Sequence, residues 1–178
     1  MTDPALLSDT GLRPAARDLV FRNVRPADLA LIVRHRREMF AANGHAEAVL
    51  SPMGEAFEAW LAPRLAGGDY FGWIVEDAAG QAVGALGMME IDWPPHPRHP
   101  LQAKRGYITN VFVEPGLRGS GVGRALMDRA AQEGRRRGLA LMVLHASPMG
   151  RPLYEQIGWL AGSEMMMPLD TPVGRDHR

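Results

Sequence analysis

The sequence predicts an α/β fold: a mixed, largely antiparallel central sheet with helices on both faces. Three observations carry this prediction. Short strand-like apolar segments alternate with segments of helical spacing. Two of the strand-like segments, 70–76 and 82–91, are joined by the polar turn at 77–81 and so form a hairpin. The element order reads β-α-α-β-β-β-α-β-α-β, which combines an antiparallel start with helical crossovers. A length of 178 residues with 46% hydrophobic and 22% charged residues suits one domain with a real core.

Each element has a local cause. Residues 19–24 read as a short strand, and Pro26 then opens a helix with Asp28 in its first turn, where a carboxylate suits the dipole. Leu29, Ile32, Val33, Arg36 and Phe40 follow at helical spacing until Asn43 and Gly44 stop them. A second helix is expected over 53–65, with Phe57, Trp60, Leu61 and Leu65 on one face. After the hairpin, residues 93–100 hold four prolines and are irregular. A strand at 106–113, a helix over 119–137, a strand at 139–145, a short helix around 152–157 and a last strand at 165–169 complete the order. The domain is expected to span 19–170, between a flexible N-terminal extension, 1–18, and a flexible tail, 171–178, both rich in Pro, Gly, Asp and Arg.

Composition narrows the function. Twenty basic residues balance twenty acidic ones, so no basic excess suggests nucleic acid or a membrane surface as partner. Without cysteine there is no disulfide, thiolate metal site or thiol nucleophile. No signal peptide, transit peptide or run of eighteen apolar residues is visible, and a cytoplasmic protein is the expectation. His96 and His99 lack a third ligand in view, so they read as part of a stiff proline loop and no metal is expected.

The most informative segment is the strand, turn and helix start from Val111 to Arg124. Small residues at a helix start leave backbone N–H groups open to an anion, although a glycine-rich turn can also be a mere connector. The spacing fits neither a P-loop, which needs Lys after the second glycine, nor a dinucleotide fingerprint. It does show Arg-x-x-Gly-x-Gly, as Arg118, Gly121 and Gly123, preceded by Val113 and Pro115. This run closely resembles the acyl-CoA-binding motif of the GNAT N-acetyltransferase superfamily. A later run, Ser147 to Trp159, is similar to that family's Asn-x-x-Ala-x-x-Leu-Tyr-x-x-x-Gly-Phe segment; Leu153, Tyr154 and Gly158 match, while Ser147, Gly150 and Trp159 replace Asn, Ala and Phe.

The resemblance implies acetyl-CoA as co-substrate, cradled by Arg118, Gly119, Ser120, Gly121, Val122, Gly123 and Arg124. The backbones of Val111, Phe112 and Val113 and the hydroxyl of Ser147 would hold the pantetheine arm. Val113 N–H would face the thioester oxygen, and Tyr154 would be the general acid for the departing thiolate, unless its ring only packs the short helix. The acidic pair that some small-amine members carry is replaced by Thr109 and Asn110, so the base is open. Candidates at the acceptor side are Glu38, Phe40, Glu90, Asp92, Asn110 and His145; histidine has the side chain that ordinarily titrates near neutrality. Four of them also have a bland reading: Glu38 in a surface ion pair, Glu90 and Asp92 on the solvated side of a hairpin, His145 as a satisfied core or edge residue. The expected activity is direct acetyl transfer to a primary amine of a small molecule or peptide. The alternatives are a protein N-terminal or lysine acetyltransferase and a non-catalytic acyl-CoA sensor. A homodimer is left open.

Overall fold

The structure, a computed structural model, describes residues 19–97, 99–162 and 164–165. The expected extension 1–18 and tail 171–178 lie outside them, as does all of the expected last strand except Met165, which is not in a strand. Among the described residues the elements are β1 (Val20–Asn23), α1 (Leu29–Ala42), α2 (Glu47–Gly67), β2 (Phe71–Glu76), β3 (Ala82–Asp92), β4 (Lys104–Val113), α3 (Val122–Arg136), β5 (Met142–Leu144) and α4 (Arg151–Gln156). They build one five-stranded sheet in the order β1-β2-β3-β4-β5. The first three pairings are antiparallel and β4–β5 is parallel, as expected of a mixed, largely antiparallel sheet.

Alternation along the strands feeds two cores. Val75, Leu86, Met88 and Ile108 pack on one face with Val122, Leu126, Met127 and Ala130 of α3. Ile74 and Ala85 pack on the other with Ile32 of α1 and Phe57, Leu61 and Leu65 of α2. The entry to α1 is tied by Asp28, which takes two bonds of 2.8 Å from Arg22 and one of 2.7 Å from Arg25 N–H.

Three elements differ from expectation. Helix α2 begins at Glu47, before Pro52, not at 53. Proline removes one backbone bond in the second turn, but Leu50 and Gly54 are buried on the same face as Phe57 and Leu61, and that packing carries the helix through. Helix α3 starts at Val122, not 119, because Gly119 and Gly121 have φ of 78° and 94°, which no right-handed helix contains. Strand β5 shrinks to Met142–Leu144, since Leu139 N–H still caps Gly134 O of α3 and the chain needs the next residues to reach the sheet.

Candidate active site

The site begins with a register fault. Ala85 pairs with Phe112 but Gly87 pairs with Thr109, so β4 carries one extra residue at Asn110–Val111. Asn110 takes the left-handed φ of 51°, rare for a residue other than glycine but most accessible to Asn and Asp. The bulge shifts the strand's phase. Ile108 packs in the α3 core, whereas Asn110 and Phe112 both turn toward α1, where Phe112 stacks on His35 at 4.3 Å.

On its other side β4 loses its neighbour. The β4–β5 ladder ends at Ile108 and Leu144, yet β4 continues to Val113. Glu114 N–H donates to Val83 O on β3. Successive N–H groups of a strand point to opposite sides, so Val113 N–H faces the gap. That gap is the floor of a cleft of about 950 Å³, lined by α1, the end of β4, the glycine turn, the 144–150 segment and α4.

The glycine turn presents backbone donors. Ser120 N–H bonds Leu117 O and Ala125 N–H bonds Gly121 O, while no side chain caps α3. The amides of Val122, Gly123 and Arg124 therefore keep the unpaired state usual at a helix start, ready for an anion. A Cβ on Gly119 or Gly121 would meet nothing within 4 Å, so both glycines border open space. The Ser120 hydroxyl is used internally, donating to Leu117 O at 2.6 Å, and the Val122 side chain is in the core, so each could serve an anion only through its backbone. Arg118 reaches across the cleft, from Val113 O at 3.3 Å to Met149 Sδ at 3.3 Å. Arg124 is an exposed part of the lining.

Opposite the turn, Ser147 Oγ accepts Gly150 N–H at 3.1 Å and organises the start of α4. Tyr154 then lies over Gly150, where a Cβ would stand 3.0 Å from its Cε2 and 3.3 Å from its hydroxyl oxygen. The absence of a methyl group at 150 leaves room for this ring. Burial raises the Tyr154 pKa above the ordinary phenol value, so the O–H keeps its proton at working pH.

The structure divides the acceptor-side candidates. Phe40, Asn110 and His145 line the cleft, and Tyr107 Oη lies 2.6 Å from His145 Nδ1. Glu38 lies outside it on α1, paired with Arg34 at 3.4 Å. Glu90 and Asp92 sit at the far end of β3. Glu90 is held by Arg137 at 2.9 Å and Lys104 at 3.1 Å, and those bonds keep its carboxyl below the usual range. Glu90 thus meets the end of α3, Asp92 is exposed, and neither is in the lining of the cleft.

The reading of the sequence missed Arg36 and Tyr107. Arg36 Nη1 donates to Asn110 Oδ1 at 2.7 Å, and Asn110 Nδ2 in turn donates to Tyr70 Oη at 3.0 Å. A signal was present: Arg36 occupies a position on the apolar stripe of α1, where a charge demands a reason.

A split sheet edge beside an uncapped, glycine-led helix leaves backbone groups open in a way that suits an extended, anion-bearing ligand. The sequence profile of the acetyltransferase (GNAT) family matches residues 32–159, and the chain belongs to that family. It is similar to a GCN5-related N-acetyltransferase of Ralstonia eutropha JMP134, with 48% identity, a TM-score of 0.82, and coverage of 85% of this chain and 98% of that one. A structure of a predicted acetyltransferase with acetyl-CoA, from Clostridium acetobutylicum, is 26% identical, with a TM-score of 0.77 over 84% of this chain and 95% of that one. A glucosamine 6-phosphate N-acetyltransferase of Trypanosoma brucei brucei is 37% identical over 61 residues, which are 34% of this chain and 42% of that relative's length.

Proposed function

We propose that the protein is an acetyl-CoA-dependent N-acetyltransferase that moves the acetyl group directly to a primary amine. The observation that carries this reading is the coincidence in one cleft of the uncapped glycine turn, the unpaired edge of β4 and the protonated phenol of Tyr154. The amides from Gly121 to Arg124 receive the pyrophosphate, helped by Arg118 and Arg124, and the freed backbone of Val111 to Val113 holds the pantetheine arm. The Ser147 hydroxyl, which already accepts from Gly150 N–H, still has its proton to donate to that arm.

In the reaction the amine nitrogen attacks the thioester carbon. Its C–N bond forms, the carbonyl oxygen gains charge opposite Val113 N–H, and the C–S bond then breaks. Tyr154 protonates the departing thiolate. His145, oriented by Tyr107 at its Nδ1 and with Glu164 3.4 Å from its Nε2 to stabilise the charged imidazole, takes the proton lost by the amine. Its position in the lining favours it over Glu38, Glu90 and Asp92, which lie outside. The relative's phosphorylated amino sugar is one acceptor consistent with a small-molecule amine.

The test is CoA release from acetyl-CoA with a panel of small amines, peptides and protein N-termini. Release with small amines is expected. Tight acetyl-CoA binding without release from any member would make the protein a sensor, and release with peptides or proteins alone would make it a protein acetyltransferase.

A further inference from the structure

The cleft is unevenly charged. Three arginines and two histidines line it, and no aspartate or glutamate does among the described residues. Arg118 and Arg124 stand at the glycine turn, where the phosphates of acetyl-CoA would neutralise them. Arg36 stands apart from that turn, on α1, where it is bonded to Asn110.

Its partners are all neutral. Nη1 donates to Asn110 Oδ1 at 2.7 Å and more weakly to Thr109 Oγ1 at 3.4 Å. The guanidinium lies over the rings of Phe57 at 4.4 Å and Phe40 at 5.0 Å. Its Nε is buried and bonded to nothing among the described residues. Burial lowers the pKa of Arg36, and no carboxylate is among the groups that oppose this. Two other partly buried arginines do have acids: Arg22 has Asp28 and Glu76, and Arg137 has Glu90 and Glu133. A half-buried cation without a counter-ion is costly, and an arriving anion offsets that cost with charge-assisted, fork-shaped bonds.

We propose that Arg36 anchors an anionic group of the acceptor, so that the acceptor is an amine carrying a carboxylate or a phosphate at its opposite end. This rests on the acetyl-transfer reading. From Asn110, which holds the guanidinium, to Val113, which would face the thioester, is three residues of strand, about 10 Å. The anion and the amine are therefore separated by several bonds.

Three amines that differ only in their far end test the proposal: O-phosphoethanolamine, 4-aminobutyrate and a neutral amino alcohol of the same length. The wild type is expected to favour at least one anionic amine over the neutral one by about tenfold or more in kcat/KM. Which anion wins separates phosphate from carboxylate. In Arg36→Gln the anionic-to-neutral ratio should collapse to near one, whatever the absolute rates, and Arg36→Lys should restore part of it. A wild-type ratio near or below one, or a ratio kept in Arg36→Gln, overturns the proposal. If no amine is acetylated, the transfer reading fails separately. Calorimetric titration of the three compounds into the CoA-bound protein then judges Arg36 alone: anion-selective binding lost in Arg36→Gln supports it, and non-selective or absent binding overturns it.

Discussion

The ring of Tyr154 lies between Gly150 and Trp159, the latter at a centroid distance of 6.3 Å, and burial raises its pKa further above the ordinary phenol value. A phenol in that state can give a proton to a thiolate but cannot take one from an ammonium. Tyr154→Phe should therefore lower kcat by about 100-fold or more while leaving the acetyl-CoA dissociation constant within about threefold. Equal losses in both would reduce Tyr154 to a packing residue. His35 shows the opposite sign. Burial, with the nearby Arg34 charge, lowers its pKa to about 4 from an ordinary 6.5, so the folded protein holds it neutral and the unfolded chain binds a proton first. Its contribution is full above pH 6.5 and is lost as pH falls toward 4, on the order of 3 kcal/mol in all. Urea titrations at several pH values should show this slope in the wild type and a shallower one in His35→Phe. Equal slopes would place the acid sensitivity elsewhere. Tyr154 was legible from its motif. Arg36 and His35 were not, because their roles come from Asn110 and Phe112, which meet α1 only after the bulge has turned them.

At the scale of elements, the glycine turn was the most legible feature and the bulge the least. Residues 118–123 announce a helix start because glycine spacing and helix-end chemistry are both local. Gly121 must hold a φ of 94° beside open cleft. Gly121→Val would impose about 1–2 kcal/mol of backbone strain and fill the anion's approach. Acetyl-CoA affinity is expected to fall by about tenfold or more by calorimetry, with the far-ultraviolet circular dichroism retained. Undiminished affinity would move the phosphate site away from this turn. The bulge has no local signature, because Asn110 and Val111 continue an ordinary strand pattern and only cross-strand pairing reveals the extra residue. Its partner strand is adapted to it. A Cβ on Gly87 would stand 1.8 Å from Tyr70 Oη, the group that Asn110 Nδ2 binds. Gly87→Ala should cost about 1–3 kcal/mol of stability in urea unfolding, since Tyr70 must leave its place. A cost near zero would show that Tyr70 can rotate away freely. Helix α2 shows the converse limit: proline marks a boundary in the sequence, but the packing of Leu50 and Gly54 overrides it.

For the whole molecule, the fold class was readable because hairpin, crossover and helical spacing all agreed on one arrangement. Charge was less readable. The chain is neutral overall, yet its cleft is lined by arginines and its acids are drawn off to Arg34, Lys104, Arg136 and Arg137 on other surfaces. Only folding separates them, so net charge alone could not report what the cleft prefers. The ladder between β4 and β5 closes at Ile108 and Leu144 and leaves the last residues of β4 without a neighbour on that side. Such an edge would ordinarily invite pairing with another chain, but here it lies inside a cleft. On the function proposed above, a pantetheine arm, with two amides and only a hydroxyl and two methyls as branches, would act as a sixth strand of this sheet. Hydrogen–deuterium exchange would then register cofactor binding as sheet completion: slow exchange spreading along β4 from Ile108 to Val113 when acetyl-CoA is added, in a strand already protected on its β3 side.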